Sequence, residues 1–164
     1  TNAAKEAQKA RARGVNLSLG ERGGREAATA LDDAIDASIA AGVADVGAAG
    51  NQGRNASFCT PAKVKGAITV GSYDINGMFS GFSNYGPKVD ILAPGEGIVS
   101  LSKQGGHTAT MTGTSMAAAH VTGAVALYVA RTPRATPTQA LAAILGTAAA
   151  FVEGTPSRSP PPGA

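Results

Sequence analysis

Val15, Leu17 and Leu19 alternate with Asn16, Ser18 and Gly20, and this period of two predicts a short strand over 15–20. Ahead of it, TNAAKEAQKARAR (1–13) is rich in helix formers and predicts a helix that Gly14 ends. A glycine-rich loop follows over Gly20–Gly24. Within residues 26–41, Leu31, Ile35 and Ile39 recur at i, i+4 and i+8, one apolar helix face. Asp32, Asp33 and Asp36 take the polar side, and Gly42 is placed as C-cap. Strands are expected at 43–48, 65–72, 89–92 and 97–102, with a loop over 52–64 and a turn-rich loop holding Phe79, Phe82 and Tyr85. Residues 115–131 are the most apolar long segment and predict a buried helix, in which Gly123 implies close packing. A last helix is expected over 137–149, with Thr136 as N-cap and Pro137 in its first turn. GTPSRSPPPGA (154–164) is low in complexity and predicts disorder. Strands alternating with helices imply βαβ units and an α/β fold with a mostly parallel sheet. In such sheets functional loops lie beyond the carboxyl ends of the strands, where Gly20–Gly24 and Ala49–Gly53 fall.

Composition narrows the function classes. A chain of 164 residues is one domain or a large piece of one. A single cysteine, Cys59, excludes an intrachain disulfide framework and a Cys-based zinc site. With 43% hydrophobic and 15% charged residues, the chain is not wholly disordered. No apolar run is long enough to span a membrane. The net charge of +3 is spread out, and the small cluster Lys5, Lys9, Arg11 and Arg13 reads as a solvated helix face, so neither a nucleic acid nor a membrane is expected as partner. The first residue is Thr and no signal peptide precedes it, which predicts a processed, excised or incomplete chain.

Two segments carry candidate chemistry. Gly113-Thr114-Ser115 opens the apolar helix, and a serine there is either an N-cap or a nucleophile whose oxyanion faces free N–H groups. Ala117 stands where a Gly-x-Ser-x-Gly elbow would need glycine. Asn51, after Ala48-Ala49-Gly50, is either a turn residue or an amide that donates to an oxyanion. His120 lies five residues after Ser115, a separation of about 500° on a helix, so it is read as helix packing rather than a base. His107, in a Gly-Gly-His loop, is read as solvated.

In order, VNLSLG (15–20), AAGN (48–51), TVGS (69–72), FSNYG (82–86), VDILAPG (89–95) and GTSMAAAHVTGAVALY (113–128) resemble the carboxy-terminal part of a subtilisin-like serine protease domain. The wording is most similar to the proteinase K and fungal vacuolar branch, and the resemblance runs from about residue 5 to about residue 148. It implies a subtilisin-like three-layer α/β fold, incomplete here, over residues 1–150, with 151–164 as a disordered tail. It implies a serine endopeptidase acting on polypeptides, secreted or vacuolar, with no cofactor required for the chemistry. By the same resemblance Ser115 is the nucleophile and Asn51 the oxyanion donor, acting with the Ser115 backbone N–H. Ser18, Leu19 and Gly20 match the segment that pairs with the substrate backbone, and Ala48, Ala49 and Gly50 match a wall of the specificity pocket. Asp90 matches a calcium position completed by carbonyls near Lys65 and Ala67; the alternative is that Asp90 ties a strand end to a neighbouring loop.

The family's Asp-Thr/Ser-Gly and His-Gly-Thr segments are absent. The base and its orienting carboxylate therefore belong to an amino-terminal half, which the chain needs as partner. Alone it is expected to be inactive, and to fold poorly or expose a large apolar face. The competing reading is a non-catalytic fragment that binds peptide or a partner chain through the Ser18–Gly20 edge. Ala118-Ala119, Asp45 and Gly47 depart from the family pattern. Cys59 is either a free thiol or paired with a cysteine of the other half. Asn16 and Asn55 both head Asn-x-Ser sequons; Asn16 is expected in a buried strand, which leaves Asn55 for a glycan.

Overall fold

The computed structural model describes residue 6 and residues 9–22, 30–103 and 105–149. Most of the helix expected over 1–13, part of the Gly20–Gly24 loop and the 151–164 tail lie outside the described residues. The elements are β1 (Gly14–Leu17), β2 (Glu21–Arg22), α1 (Ala30–Ala40), β3 (Ala44–Ala48), a 3-10 turn (Ala56–Phe58), β4 (Cys59–Thr60), β5 (Ile68–Tyr73), β6 (Ile91–Pro94), β7 (Ile98–Leu101), β8 (Thr108–Met111), α2 (Thr114–Arg131) and α3 (Pro137–Thr147).

The four-stranded sheet runs β1-β3-β5-β6 with all strands parallel. Its two faces are covered by different helices, because side chains alternate across a strand. Val15 and Leu17 face α1 and pack with Leu31, Ile35 and Ile39, the stripe seen in the sequence, together with Val64 and Ala67. On the other face Val46, Ile68 and Val70 meet Ala117, Ala118, Val121 and Val125 of α2 and Ala140 of α3. The result is an α/β/α layering with a parallel sheet in the middle. α3 begins with a full capping box between Thr136 and Gln139, and Pro137 sits in its first turn as expected. No helix among the described residues is long and apolar enough to cross a membrane.

The structure corrects several expectations. β1 ends at Leu17, so Ser18, Leu19 and Gly20 continue without a ladder. Part of the expected Gly20–Gly24 loop is β2, paired antiparallel with β4 inside the expected 52–64 loop. A ladder of two residues per strand leaves no periodic signature. β7 pairs with a second strand, β8, whose residues Thr108–Met111 are exposed or half-buried and so carry no apolar pattern. α2 is buried along one stripe only; Gly123 is exposed, and a side chain there would meet nothing within 4 Å, so close packing does not explain it.

The acidic face of α1 is not uniformly solvated. Asp32 is buried, takes a hydrogen bond from Thr60 Oγ1 at 2.8 Å and pairs with Lys63 Nζ at 2.9 Å. This joins α1 to the turn after β4. Gly47 has a local reason, since the Pro61 ring occupies the space a Cβ would need. Asn16 is exposed rather than buried: β1 is an edge strand, and Asn16 Oδ1 accepts the Thr122 hydroxyl at 3.1 Å. Asn55 is half-buried, and its Oδ1 caps the 3-10 turn through Ser57 N–H.

Asp45 lies on the α1 face of β3 and forms no ion pair among the described residues. It is 2% exposed, and its Oδ2 has no hydrogen-bond partner among the described residues. Burial pushes its carboxyl from 3.8 up to about 6, against a smaller opposing pull from Ser38. A pKa raised by folding favours the neutral form, so its contribution is most favourable below the unfolded pKa. That contribution is lost as pH rises through about 6. Stability measured by urea denaturation is expected to fall between pH 4 and pH 7. Asp45→Asn should flatten that slope and raise stability at pH 7 by about 2–3 kcal/mol. A pH slope that survives Asp45→Asn would refute this assignment.

Candidate active site

The parallel sheet brings the ends of β1 and β3 to one edge, and α2 starts at the same edge. Gly113, with φ 153°, is the N-cap of α2 and makes no side-chain cap bond. Ser115 is therefore inside the helix and does not serve as its cap. Its hydroxyl donates instead to Ser18 O at 3.3 Å, and the Ser18 hydroxyl returns a bond to Ser115 O at 2.8 Å. Asn16 Nδ2 donates to Ser18 Oγ at 2.8 Å, which fixes the segment leaving β1. The Ser115 N–H lies in the first helical turn, where the helix offers no i−4 carbonyl.

Asn51 follows β3 and is held by α2. Its Oδ1 accepts both the Thr114 N–H at 2.9 Å and the Thr114 hydroxyl at 2.7 Å. Thr114 Oγ1 in turn accepts Gly50 N–H at 3.2 Å. Two donors on one oxygen fix which end of the amide is which, and leave Nδ2 as the donor end. Gly113 is required beside it: a Cβ there would stand 3.2 Å from Asn51 Nδ2.

The loop carrying Asn51 is braced from behind by Asn84, a fully buried residue that sequence reasoning did not single out. Asn84 Oδ1 accepts the N–H groups of Gln52 and Arg54, both at 3.1 Å. Its Nδ2 donates to Ala49 O at 2.8 Å and to Gln52 Oε1 at 3.1 Å, and its own N–H donates to Gly50 O at 2.9 Å. Gly50, at φ 105°, passes so close that a Cβ would overlap Asn84 Nδ2. FSNYG held the signal, but its use depends on contacts 30 or more residues away in sequence.

The other expected site residues fall as follows. Leu19 is 47% exposed, and Ser18 and Gly20 are also exposed, at the mouth of the site. Ala48 and Ala49 have buried side chains, in two different clusters, so only their backbone can face a substrate. Cys59 is a buried free cysteine packed with Ala49, Ala56 and Ala62. Asp90 Oδ2 accepts Thr69 N–H at 2.8 Å, and Asp90 N–H donates to Thr69 O at 2.9 Å, a two-bond tie to β5. Among the described residues no three His, Cys, Asp or Glu side chains group to hold a metal. No histidine reaches Ser115 among them: His120 Nδ1 lies 2.9 Å from Met116 O, and His107 is exposed in the β7–β8 turn.

The family model for the subtilases, peptidase family S8, matches residues 1–160. An extracellular serine proteinase of Thermus sp. is 49% identical over 132 residues, 80% of this chain and 31% of that protein. A cuticle-degrading serine protease of Arthrobotrys oligospora is 41% identical over 70% of this chain and 27% of its own length. The chain thus spans about a third or less of those relatives. A crystal structure of a cold-adapted subtilisin-like serine proteinase superposes with a TM-score of 0.77 at 39% identity, over 87% of this chain and 52% of that one. A protease of Pseudoalteromonas arctica superposes with a TM-score of 0.79 at 32% identity, over 85% and 45%.

The Asn84 brace predicts a stability effect. Asn84→Ala strands the buried carbonyl of Ala49 and removes the acceptor of the part-buried Gln52 and Arg54 N–H groups. It should cost about 2–4 kcal/mol in urea denaturation. A loss below about 0.5 kcal/mol, within the range of an ordinary surface substitution, would show that the brace is not needed.

Proposed function

The chain belongs to the subtilase family, and from that premise we propose that it supplies the nucleophile and oxyanion hole of a serine endopeptidase. The observation that carries this reading is the fixed Asn51 amide, with Oδ1 committed to Thr114, the residue before Ser115, and Nδ2 kept as a donor close to Gly113. Ser115 Oγ attacks the carbonyl carbon of the scissile peptide bond. Its proton passes to an imidazole contributed by chain outside this sequence, oriented by a carboxylate from the same source. The tetrahedral oxyanion is held between Asn51 Nδ2 and the Ser115 N–H, a place already polarised by the start of α2. Collapse expels the amine, which takes the proton, and leaves an acyl ester on Ser115 that water hydrolyses. Substrate backbone lies along Ser18–Gly20, the stretch that has no ladder partner here.

The remainder of the domain is proposed to add at the free edge of β1 and over the uncovered side of α2. That side carries Ala119, Gly123, Ala124 and Leu127, the last 72% exposed. Secretion follows by analogy with relatives such as the extracellular Thermus proteinase. For calcium the donor set is thin. The ion takes about 6–8 oxygens, and Asp90 already gives Oδ2 to Thr69 N–H. The reading therefore assigns Asp90 the tie between β5 and β6 and gives calcium no step. The second reading, peptide binding without turnover, is favoured by the lack of a base near Ser115 among the described residues.

The two readings separate when the chain is assembled with a subtilase amino-terminal segment that carries the Asp and His motifs, using a fluorogenic peptide. Hydrolysis is expected, and Ser115→Ala should abolish it. Asn51→Ala should lower kcat by about 10²–10³-fold with KM little changed, the size known for loss of this kind of donor in a subtilisin. Peptide binding with no hydrolysis would establish the second reading instead.

A further inference from the structure

At the opposite end of the sheet from Ser115, the amino ends of β1 and β3 frame an open cleft of about 490 Å³, within the size range of small-molecule sites. Arg11, Arg13 and Arg134 line it, with Gly42 and Thr136 among the other walls, and no Asp or Glu among the described residues contributes. The basic cluster expected as one solvated helix face is divided between two jobs. Lys9 pairs with Glu6 at 2.8 Å, outside the cleft. Arg13 is pinned, its Nη1 donating to Pro133 O and its Nη2 to Ala135 O. Both acceptors are neutral carbonyls, so the position of Arg13 is set while its charge has no ion-pair partner among the described residues. Arg11 has φ 53°, an uncommon left-handed conformation for a side-chain-bearing residue. Arg134 enters from the loop between α2 and α3. The ion pairs among the described residues, Lys9–Glu6 and Lys63–Asp32, involve none of the three.

We infer that this cleft binds a small multivalent oxyanion, of the phosphate or carboxylate type, between Arg11, Arg13 and Arg134. Guanidinium groups form paired charge-assisted bonds to such oxygens. The start of α3 is already satisfied by its own capping box, so the guanidinium groups carry the site. The inference is independent of the peptidase reading.

Isothermal titration of the chain with pyrophosphate, and separately with citrate, tests it. Saturable one-to-one binding is expected at low salt for at least one of them, with Kd below about 1 mM, and weakening as salt is added. Binding of pyrophosphate alone marks a phosphate site, and of citrate alone a carboxylate site. Arg134→Ala and Arg11→Gly should each weaken binding by about tenfold. Glycine is chosen at position 11 because it accepts the left-handed backbone. Arg131→Ala, at the end of α2 and outside the cleft, should leave the affinity unchanged. No saturable binding, or equal weakening by Arg131→Ala, would overturn the inference.

Discussion

The amide oxygen of Asn51 accepts two bonds from Thr114, and the geometry of the candidate site depends on that one junction. It joins the loop after β3 to the first turn of α2, two elements separated by some sixty residues. A side-chain amide is nearly symmetric in shape, so only its partners decide which end donates. Here the hydroxyl and N–H of Thr114 occupy the oxygen, and the nitrogen is left as a donor close to Gly113. The parallel sheet makes the junction possible by delivering both elements to one edge. Gly50, Gly113 and Asn84 then allow the backbones to approach and hold them there.

Around that junction the layering is asymmetric. The α1 face of the sheet is closed by an apolar stripe and by the Asp32–Lys63 pair. The α2 face is closed near the sheet, but among the described residues nothing covers a second side of α2 or pairs with the outer edge of β1. These are the surfaces on which a longer chain would build. That agrees with the 52% and 45% shares of the two solved proteinases that this chain covers. Under the proposed function, Ser115 and Asn51 form one half of a site whose base comes from the longer chain.

Much of the fold was legible in the sequence because burial follows period. Leu31, Ile35 and Ile39 gave α1, the run over 115–131 gave α2, and Thr136-Pro137 gave the start of α3. What escaped was short or long-range. β2 and β4 pair over two residues each, and β8 lies on the surface, so neither shows a pattern. Asp32 and Lys63 meet across 31 positions, and no spacing rule reaches that far. In the site, Ser115 and Asn51 stand out through their motif blocks, and Gly113 at the N-cap of α2 removes the capping role from Ser115. Thr114 and Asn84 were invisible for the same reason as Lys63: their partners are distant in sequence.

The central claim is that Ser115 is the nucleophile and Asn51 stabilises the oxyanion formed on it. The most direct measurement is covalent trapping. The chain, assembled with an amino-terminal segment bearing the Asp and His motifs, is treated with a peptidyl phosphonate ester, and the adduct is located by peptide mass spectrometry. The account predicts a phosphonyl group on Ser115, absent in Ser115→Ala and formed more slowly in Asn51→Ala. An adduct on Thr114 or Ser18, or none at all in an assembled complex that binds peptide, would contradict it.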